Sequence, residues 1–392
     1  MIVPKTAIAL TACLAAAASA QNSPLPAPTG QHQVGRVQFD WVDTSRADPH
    51  DASRKRELVV WVWYPAAAAP DAVVGEWMPG EWGTALARRY SEEHPGTDVA
   101  SLVPQLHSHS YVNGAIDPTG KWPLVLFAPG LGTMALDYSV ILEDLASHGY
   151  VVLGVGSPEF ARVSVYGDGR VVRGKVPLQL AGRDATAIRA IEDSPPTMSA
   201  DLRFALNRLA ATAAFKNHID TTRVGAAGHS IGGAAAAQFA HDDARVKAVF
   251  DLDGTGAWSS RNGALENAVL VLSAAASAGF NYPVLSGARP GLHLRLAGAE
   301  HSFSMDEGAL SVGTARPAGS LQAARALEIT ARYMAAFFNQ YLNGQLERLL
   351  DGPDPQFPEV TFERGAGRPP RHGSRYSSVE RFPSAKGLSI EP

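Results

Sequence analysis

Gly228-His229-Ser230-Ile231-Gly232 lies between an apolar run, Arg223-Val224-Gly225-Ala226-Ala227, and an Ala-rich run from Gly233 to His241. The first run has the character of a buried strand and the second suits a helix. A serine held on so sharp a strand-to-helix turn projects its hydroxyl out of the sheet. Glycines must flank it, because a Cβ there would collide with neighbouring backbone. The pentapeptide alone arises by chance. With a strand before it and a helix after it, it reads as a nucleophile elbow with Ser230 as the reactive hydroxyl.

The same alternation extends on both sides of the elbow. Strands are expected at 124–127, 150–155, 246–250, 268–272 and 292–296, and helices at 138–148, 199–215 and 321–342. In the first helix Asp137 is expected as N-cap and Gly149 as the stop. Strands alternating with helices imply an α/β fold with a mostly parallel sheet covered on both faces. Upstream, 36–42 and 58–64 read as two strands joined by a polar hairpin loop over 44–56. A lid-like insertion without strand pattern follows at 66–115, carrying Trp77, Met78, Trp82 and Tyr90. Residues 162–176 alternate around Gly167-Asp168-Gly169 and suit a hairpin.

Composition narrows the function classes. The 392 residues are 45% hydrophobic and 18% charged, with a net charge of -4. That supports a large core and offers no basic footprint for nucleic acid or an anionic membrane. Residues 1–20 read as a cleaved signal peptide: a lysine at position 5, an apolar run, then Ala18-Ser19-Ala20 before Gln21. Secretion or periplasmic export is therefore expected. A minor alternative is lipidation of Cys13 within Leu10-Thr11-Ala12-Cys13. Cys13 is the only cysteine, so a chain cleaved after Ala20 has no disulfide and no thiolate nucleophile. Residues 21–35 read as a mobile Pro-rich spacer, 36–350 as the catalytic domain and 351–392 as a poorly ordered tail or surface strap.

An activated serine needs a base, a carboxylate to orient that base, and donors for an oxyanion. Behind a nucleophile elbow the expected chain order is nucleophile, acid, histidine. His293 falls inside an expected strand and His372 in the tail, whereas His301 follows the last expected strand in Gly298-Ala299-Glu300-His301. Catalytic groups gather at such strand ends, which singles out His301. Phe250-Asp251-Leu252-Asp253-Gly254 offers two carboxylates, with Asp253 favoured as nearer the loop and Asp251 kept open. The oxyanion donors are expected to be the backbone N–H of Ile231 and, from Pro129-Gly130-Leu131-Gly132, that of Leu131. No phosphate-loop or dinucleotide pattern occurs there, and no cofactor or metal is implied.

These segments resemble the plasma-type and type II platelet-activating factor acetylhydrolases and their bacterial relatives, which have the α/β-hydrolase fold. Phe127-Ala128-Pro129-Gly130-Leu131-Gly132 with Asp144-Leu145-Ala146-Ser147-His148-Gly149-Tyr150 is similar to the family's oxyanion loop and following helix. Asp201-Leu202-Arg203-Phe204-Ala205-Leu206 resembles the helix before the elbow. The closest match runs from Ile219-Asp220-Thr221-Thr222-Arg223 into Gly228-His229-Ser230-Ile231-Gly232-Gly233. Asp251-Leu252-Asp253 is similar to the acid loop, and its spacing from Ser230 favours Asp253. The likeness covers 122–340. It departs at Pro129, where the family usually has His, and at the aromatic after the acid, matched only loosely by Trp258.

What the resemblance implies is a secreted serine carboxylic-ester hydrolase acting on short-acyl esters, including acetylated or oxidised phospholipids, through Ser230, His301 and Asp253. The partner is then a small-molecule or lipid ester, with contact at a lipid surface compatible. A cutinase or polyester-type hydrolase is the rival enzyme reading, weakened by the missing disulfide. The rival of another class is a non-catalytic hydrolase-fold binding protein.

Overall fold

The computed structural model describes residues 25–49, 51–67, 72–93, 99–174, 189, 191, 193–254, 265–277, 283–310 and 320–363. In chain order the strands β1 (Gln33–Asp48), β2 (Asp51–Ala67) and β3 (Val74–Glu76) precede helix α1 (Glu81–Glu93). Next come β4 (His107–Val112), β5 (Ala115–Ile116), β6 (Trp122–Ala128), α2 (Ser139–Ser147) and β7 (Val151–Val155). The hairpin β8 (Val163–Val165) and β9 (Val171–Arg173) stands apart as its own small sheet. Then follow α3 (Pro195–Ala211), β10 (Ile219–His229), α4 (Ile231–Asp242), β11 (Val246–Leu252), β12 (Ala268–Ala274) and β13 (Gly291–Leu296). The described chain closes with α5 (Ala323–Asn343) and β14 (Val360–Phe362).

One sheet runs β14-β13-β12-β11-β10-β6-β7-β2-β1-β4-β3, with β5 beside β2. The six strands from β13 to β7 are mutually parallel, and β14 and β2 flank them antiparallel. Buried on both faces, these strands carry almost unbroken apolar runs, and alternate residues feed opposite layers. In β6, Val125 and Phe127 join the core under α2 and α5, while Leu124 and Leu126 join the one under α3 and α4. This is the α/β-hydrolase architecture expected from the sequence.

Strand order reverses between β6 and β10, since the chain leaves β6 for β7 on one side and returns to β10 on the other. A crevice opens at the carboxyl ends of strands at such a switch point. The loop after β6 and the turn after β10 both lie there.

Several outer segments differ from expectation. The polar stretch 44–56 is not a loop: β1 and β2 run through most of it, and the hairpin closes near residues 48–51. Arg56 is buried there, held by Glu159 at 2.7 Å and by Asp201, which also binds Arg46 at 2.8 Å. Its charge is paired inside the fold, so the absence of an apolar pattern does not prevent a strand. Within 66–115 the structure has β3, β4, β5 and α1. The inward residues of β4 are Ser108 and Ser110, and Ser110 hydrogen-bonds the buried carboxylate of Glu143. A polar interior of that kind leaves no alternating signal. Trp77, Met78, Trp82 and Tyr90 are all buried in the main core.

The expected mobile spacer is fastened from Leu25 onward. Thr29 binds Asp144 at 2.7 and 2.8 Å, and Gly30 N–H donates to Ser147 Oγ at 2.8 Å. Asp137 is not the N-cap of α2. It sits in the 3₁₀ turn before it and accepts the Met134 N–H at 2.8 Å, whereas Gly149, at φ +92°, does end the helix. Beyond α5 the chain straps back over the surface, with Arg325 paired to Glu359 at 2.9 Å and β14 added to the sheet edge. Residues 1–24 and 364–392, with the expected signal peptide, Cys13 and His372, lie outside the described residues, as does Trp258. Among the described residues no helix is long and apolar enough to cross a membrane.

Candidate active site

Ser230 sits between β10 and α4 at φ +56° and ψ -121°. A non-glycine residue there carries strain of about 1–3 kcal/mol, sustained only when its surroundings hold it. Ser230 N–H donates to Leu252 O at 3.0 Å, and the Ser230 carbonyl accepts Gly233 N–H at 3.0 Å. The glycines are steric necessities: a Cβ on Gly228 would lie 2.1 Å from Gly232 O, and one on Gly232 would lie 2.0 Å from Ala128 O.

The crevice above this turn encloses about 250 Å³. Its described lining comprises Leu131, Thr133, His229, Ser230, Glu300, His301, Ser302 and Met305. The insertion at 66–115 contributes none of the described lining residues. It grips the far side of the loop bearing His301 instead. Trp77 Nε1–H donates to Asp306 at 3.0 Å, and the Tyr90 hydroxyl donates to Glu307 at 2.8 Å.

His301 Nδ1 lies 2.6 Å from Asp253 Oδ2, with the imidazole 55% exposed and the carboxylate 1% exposed. The base-bearing ring thus faces the crevice while its partner stays dry. Asp253 follows β11 at φ +49°, and its N–H donates to Leu272 O at 2.9 Å. Burial pushes its carboxyl upward, but this is outweighed by hydrogen bonds. His301, Ala274 N–H at 3.0 Å and the Ser277 hydroxyl at 2.9 Å together hold it below the ordinary carboxylate range. Asp251 points into the packing behind the elbow. Burial first, and then the neighbouring Asp253 charge, push its carboxyl up to about 8. Of the two carboxylates, only Asp253 touches the histidine.

The Ser230 hydroxyl and the His301 imidazole share the crevice without a hydrogen bond between them. Such contacts commonly tighten only once substrate is present. In the loop after β6, Gly130 N–H donates to the Tyr138 hydroxyl at 3.3 Å, Gly132 N–H to Phe160 O at 2.7 Å and Thr133 N–H to Gly130 O at 3.2 Å. That leaves the Leu131 amide as the one N–H in the loop without an acceptor among the described residues. Ile231 opens α4, where the first N–H groups have no intrahelical acceptor and the helix dipole favours negative charge. Both amides are therefore available to an anion beside Ser230. His293 lies in β13, 2.9 Å from Ser273 Oγ, and is not part of the crevice lining. Among the described residues no group of three or more His, Cys, Asp or Glu could hold a metal ion.

Sequence reasoning overlooked three residues. Ser277 belongs to no motif. Tyr138 reads only as a helical position. His229 stands inside the elbow itself, yet nothing in the sequence names its partners, which are the Tyr138 hydroxyl at 2.8 Å and the His301 carbonyl at 2.7 Å.

Known proteins place this geometry in context. The sequence model of a family described as platelet-activating factor acetylhydrolase, isoform II, matches residues 17–161, a stretch that holds the loop after β6 and ends before the elbow. A probable 1-alkyl-2-acetylglycerophosphocholine esterase from Arthroderma benhamiae is 26% identical over 92% of this chain and 100% of its own length. The platelet-activating factor acetylhydrolase of Canis lupus familiaris is 24% identical over 61% of this chain and 57% of its own length. Among solved structures, a ferulic acid esterase from Streptomyces cinnamoneus superposes with a TM-score of 0.70 and 28% identity, covering 87% of this chain and 99% of that one.

Proposed function

We propose, from the premise that this chain is a carboxylic-ester hydrolase related to the platelet-activating factor acetylhydrolases, that it is an exported serine esterase for short-acyl esters. Platelet-activating-factor-like and oxidised phospholipids fall within that class. The observation that supports this most is the 2.6 Å contact between His301 and a dry Asp253 beside the strained Ser230 turn.

The reaction would run in two halves. His301 Nε2 takes the Ser230 proton as Oγ attacks the ester carbonyl, and the Ile231 and Leu131 N–H groups hold the resulting oxyanion. Collapse breaks the ester C–O bond, and His301 returns the proton to the leaving alcohol. A water then loses its proton to His301 and attacks the acyl-enzyme, releasing the acid and restoring Ser230. Throughout, Asp253 fixes the Nδ1–H tautomer of His301 and stabilises its positive form. No step needs a metal.

Wild-type protein is expected to turn over p-nitrophenyl acetate and to label with a fluorophosphonate probe. Failure of both would overturn the esterase reading. A crevice of about 250 Å³, below the roughly 300–1,000 Å³ of pockets that enclose drug-sized ligands, supports the short-acyl reading. Across p-nitrophenyl esters from acetate to palmitate, kcat/KM is expected to fall by roughly tenfold or more beyond butyrate. A flat or rising series would remove the short-acyl assignment.

A second reading, a hydroxycinnamoyl ester as substrate, is favoured by the nearly complete coverage of the ferulic acid esterase. Methyl ferulate and an acetylated phospholipid belong in the same assay, and the larger kcat/KM decides between them. Export rests on Ala18-Ser19-Ala20 before Gln21. The mass of the mature protein from its native host is expected to begin at Gln21. An intact Met1 would refute export through this signal, and a lipid-modified Cys13 would replace it with anchoring.

A further inference from the structure

We infer that His229 is a positioning residue, one that ties the oxyanion loop to the loop carrying the base; this rests on His301 acting as that base. The His229 imidazole is buried, and both its nitrogens are engaged. Nε2 lies 2.7 Å from the His301 carbonyl oxygen. A carbonyl can only accept, so Nε2 carries the proton. In the neutral ring Nδ1 is then an acceptor, and its partner at 2.8 Å is the Tyr138 hydroxyl, which donates.

The direction of the remaining bonds follows. With its own proton spent on His229, the Tyr138 oxygen receives the Gly130 N–H at 3.3 Å. Thr133 Oγ1 donates to the Gly130 carbonyl at 2.8 Å, closing the loop around the same residue. The chain therefore runs from Gly130 N–H to the Tyr138 hydroxyl to His229, and from His229 to the backbone of His301. Gly130 adjoins Leu131, whose free amide is the proposed oxyanion donor. At the other end, the bonded carbonyl belongs to the base itself. The two imidazoles also pack together, with ring centroids 4.6 Å apart.

This arrangement explains a glycine at position 130. A Cβ there would lie 2.8 Å from His229 Nδ1 and displace the ring. It also gives the residue before the nucleophile a task separate from elbow sterics. His229, which also lines the crevice, keeps the oxyanion donors and the base at a fixed separation across it through these hydrogen bonds. Misplacement of about 1 Å between reacting groups can cost on the order of a hundredfold in rate.

Two amide substitutions separate the halves of the link. In His229→Gln the side-chain amide reaches where Nε2 lies and still donates to the His301 carbonyl. In His229→Asn the shorter amide stays near Nδ1, meets Tyr138 and leaves that carbonyl unbonded. With p-nitrophenyl acetate, His229→Asn is expected to lower kcat by roughly 10- to 100-fold with KM within about twofold. His229→Gln is expected to recover most of that loss, while the two variants melt together. Equal kcat in both, or a loss carried by KM, would overturn the inference. Should His229→Asn fail to fold, Tyr138→Phe decides: it severs the same oxyanion-loop half as His229→Gln and leaves the His301 bond, so its kcat should show at least the residual few-fold loss expected of that variant. A kcat equal to wild type in both defeats the link. Inert wild-type protein would instead defeat the esterase reading, so the two failures are distinguishable.

Discussion

Replacing Ser230 by alanine is expected to lower kcat for p-nitrophenyl acetate by roughly 10⁴-fold or more, because the acyl-enzyme can no longer form. The residual rate would come from the oxyanion donors and from binding alone. Stability should hardly change. The Ser230 hydroxyl makes no hydrogen bond to a described residue, so its removal leaves none of them without a partner. The strained φ of +56° is common to both side chains. Thermal unfolding within a few degrees of wild type, with labelling by a fluorophosphonate probe abolished, completes the expected result. Substantial turnover by the alanine variant would show that another group is the nucleophile.

Asp253→Asn is expected to cripple turnover by roughly 10⁴-fold, whereas Asp251→Asn is expected to leave it within a few-fold. The reason lies in the partners of Asp253. Ala274 N–H can only donate, so the asparagine must keep its oxygen on that side. Its NH₂ then faces His301 Nδ1, where Asp253 Oδ2 had been. An N–H aimed at Nδ1 makes that nitrogen an acceptor and moves the ring proton to Nε2. The ring can then no longer take the proton of Ser230. Asp251 is different, because burial and then the Asp253 charge push its carboxyl up to about 8, which favours its uncharged form at neutral pH. An asparagine mimics that state.

The same group has a stability signature. Its folded pKa lies above the unfolded value of about 3.9, so its contribution is full below that value and is lost as pH rises through about 8. The melting temperature of Asp251→Asn relative to wild type should therefore climb between pH 5 and pH 8. Parallel profiles would mean that Asp251 is ionised when folded. If Asp251→Asn were the crippled variant instead, the acid would be Asp251.

Legibility in the sequence followed the range of the forces involved. Gly228, Ser230 and Gly232 could be read because their constraint is local, with each missing Cβ answering to backbone that the turn itself brings close. The central strands could be read because they are buried on both faces, and burial of that kind writes an apolar run. Residues 44–56 and β4 could not. Arg46 and Arg56 are paired by Asp201 and Glu159, and the Ser110 hydroxyl donates to Glu143, partners that lie far away in the chain. Local periodicity reports burial only when the buried residues are apolar.

The sequence alone thus determined the α/β architecture, the elbow at Ser230 and the chain order in which an acid and a histidine should follow. Those are properties of backbone sterics and of apolar spacing along the chain. Tertiary structure decided which of two neighbouring carboxylates meets His301 and which amide of the 129–132 loop is left without an acceptor. It also decided that His229 spans the crevice between that loop and the base. Each of these depends on where β6, β11 and the loop after β13 end relative to one another. Hydrogen bonds of 2.6 to 3.3 Å between such ends are set by the packing of the whole sheet, and no local pattern encodes them.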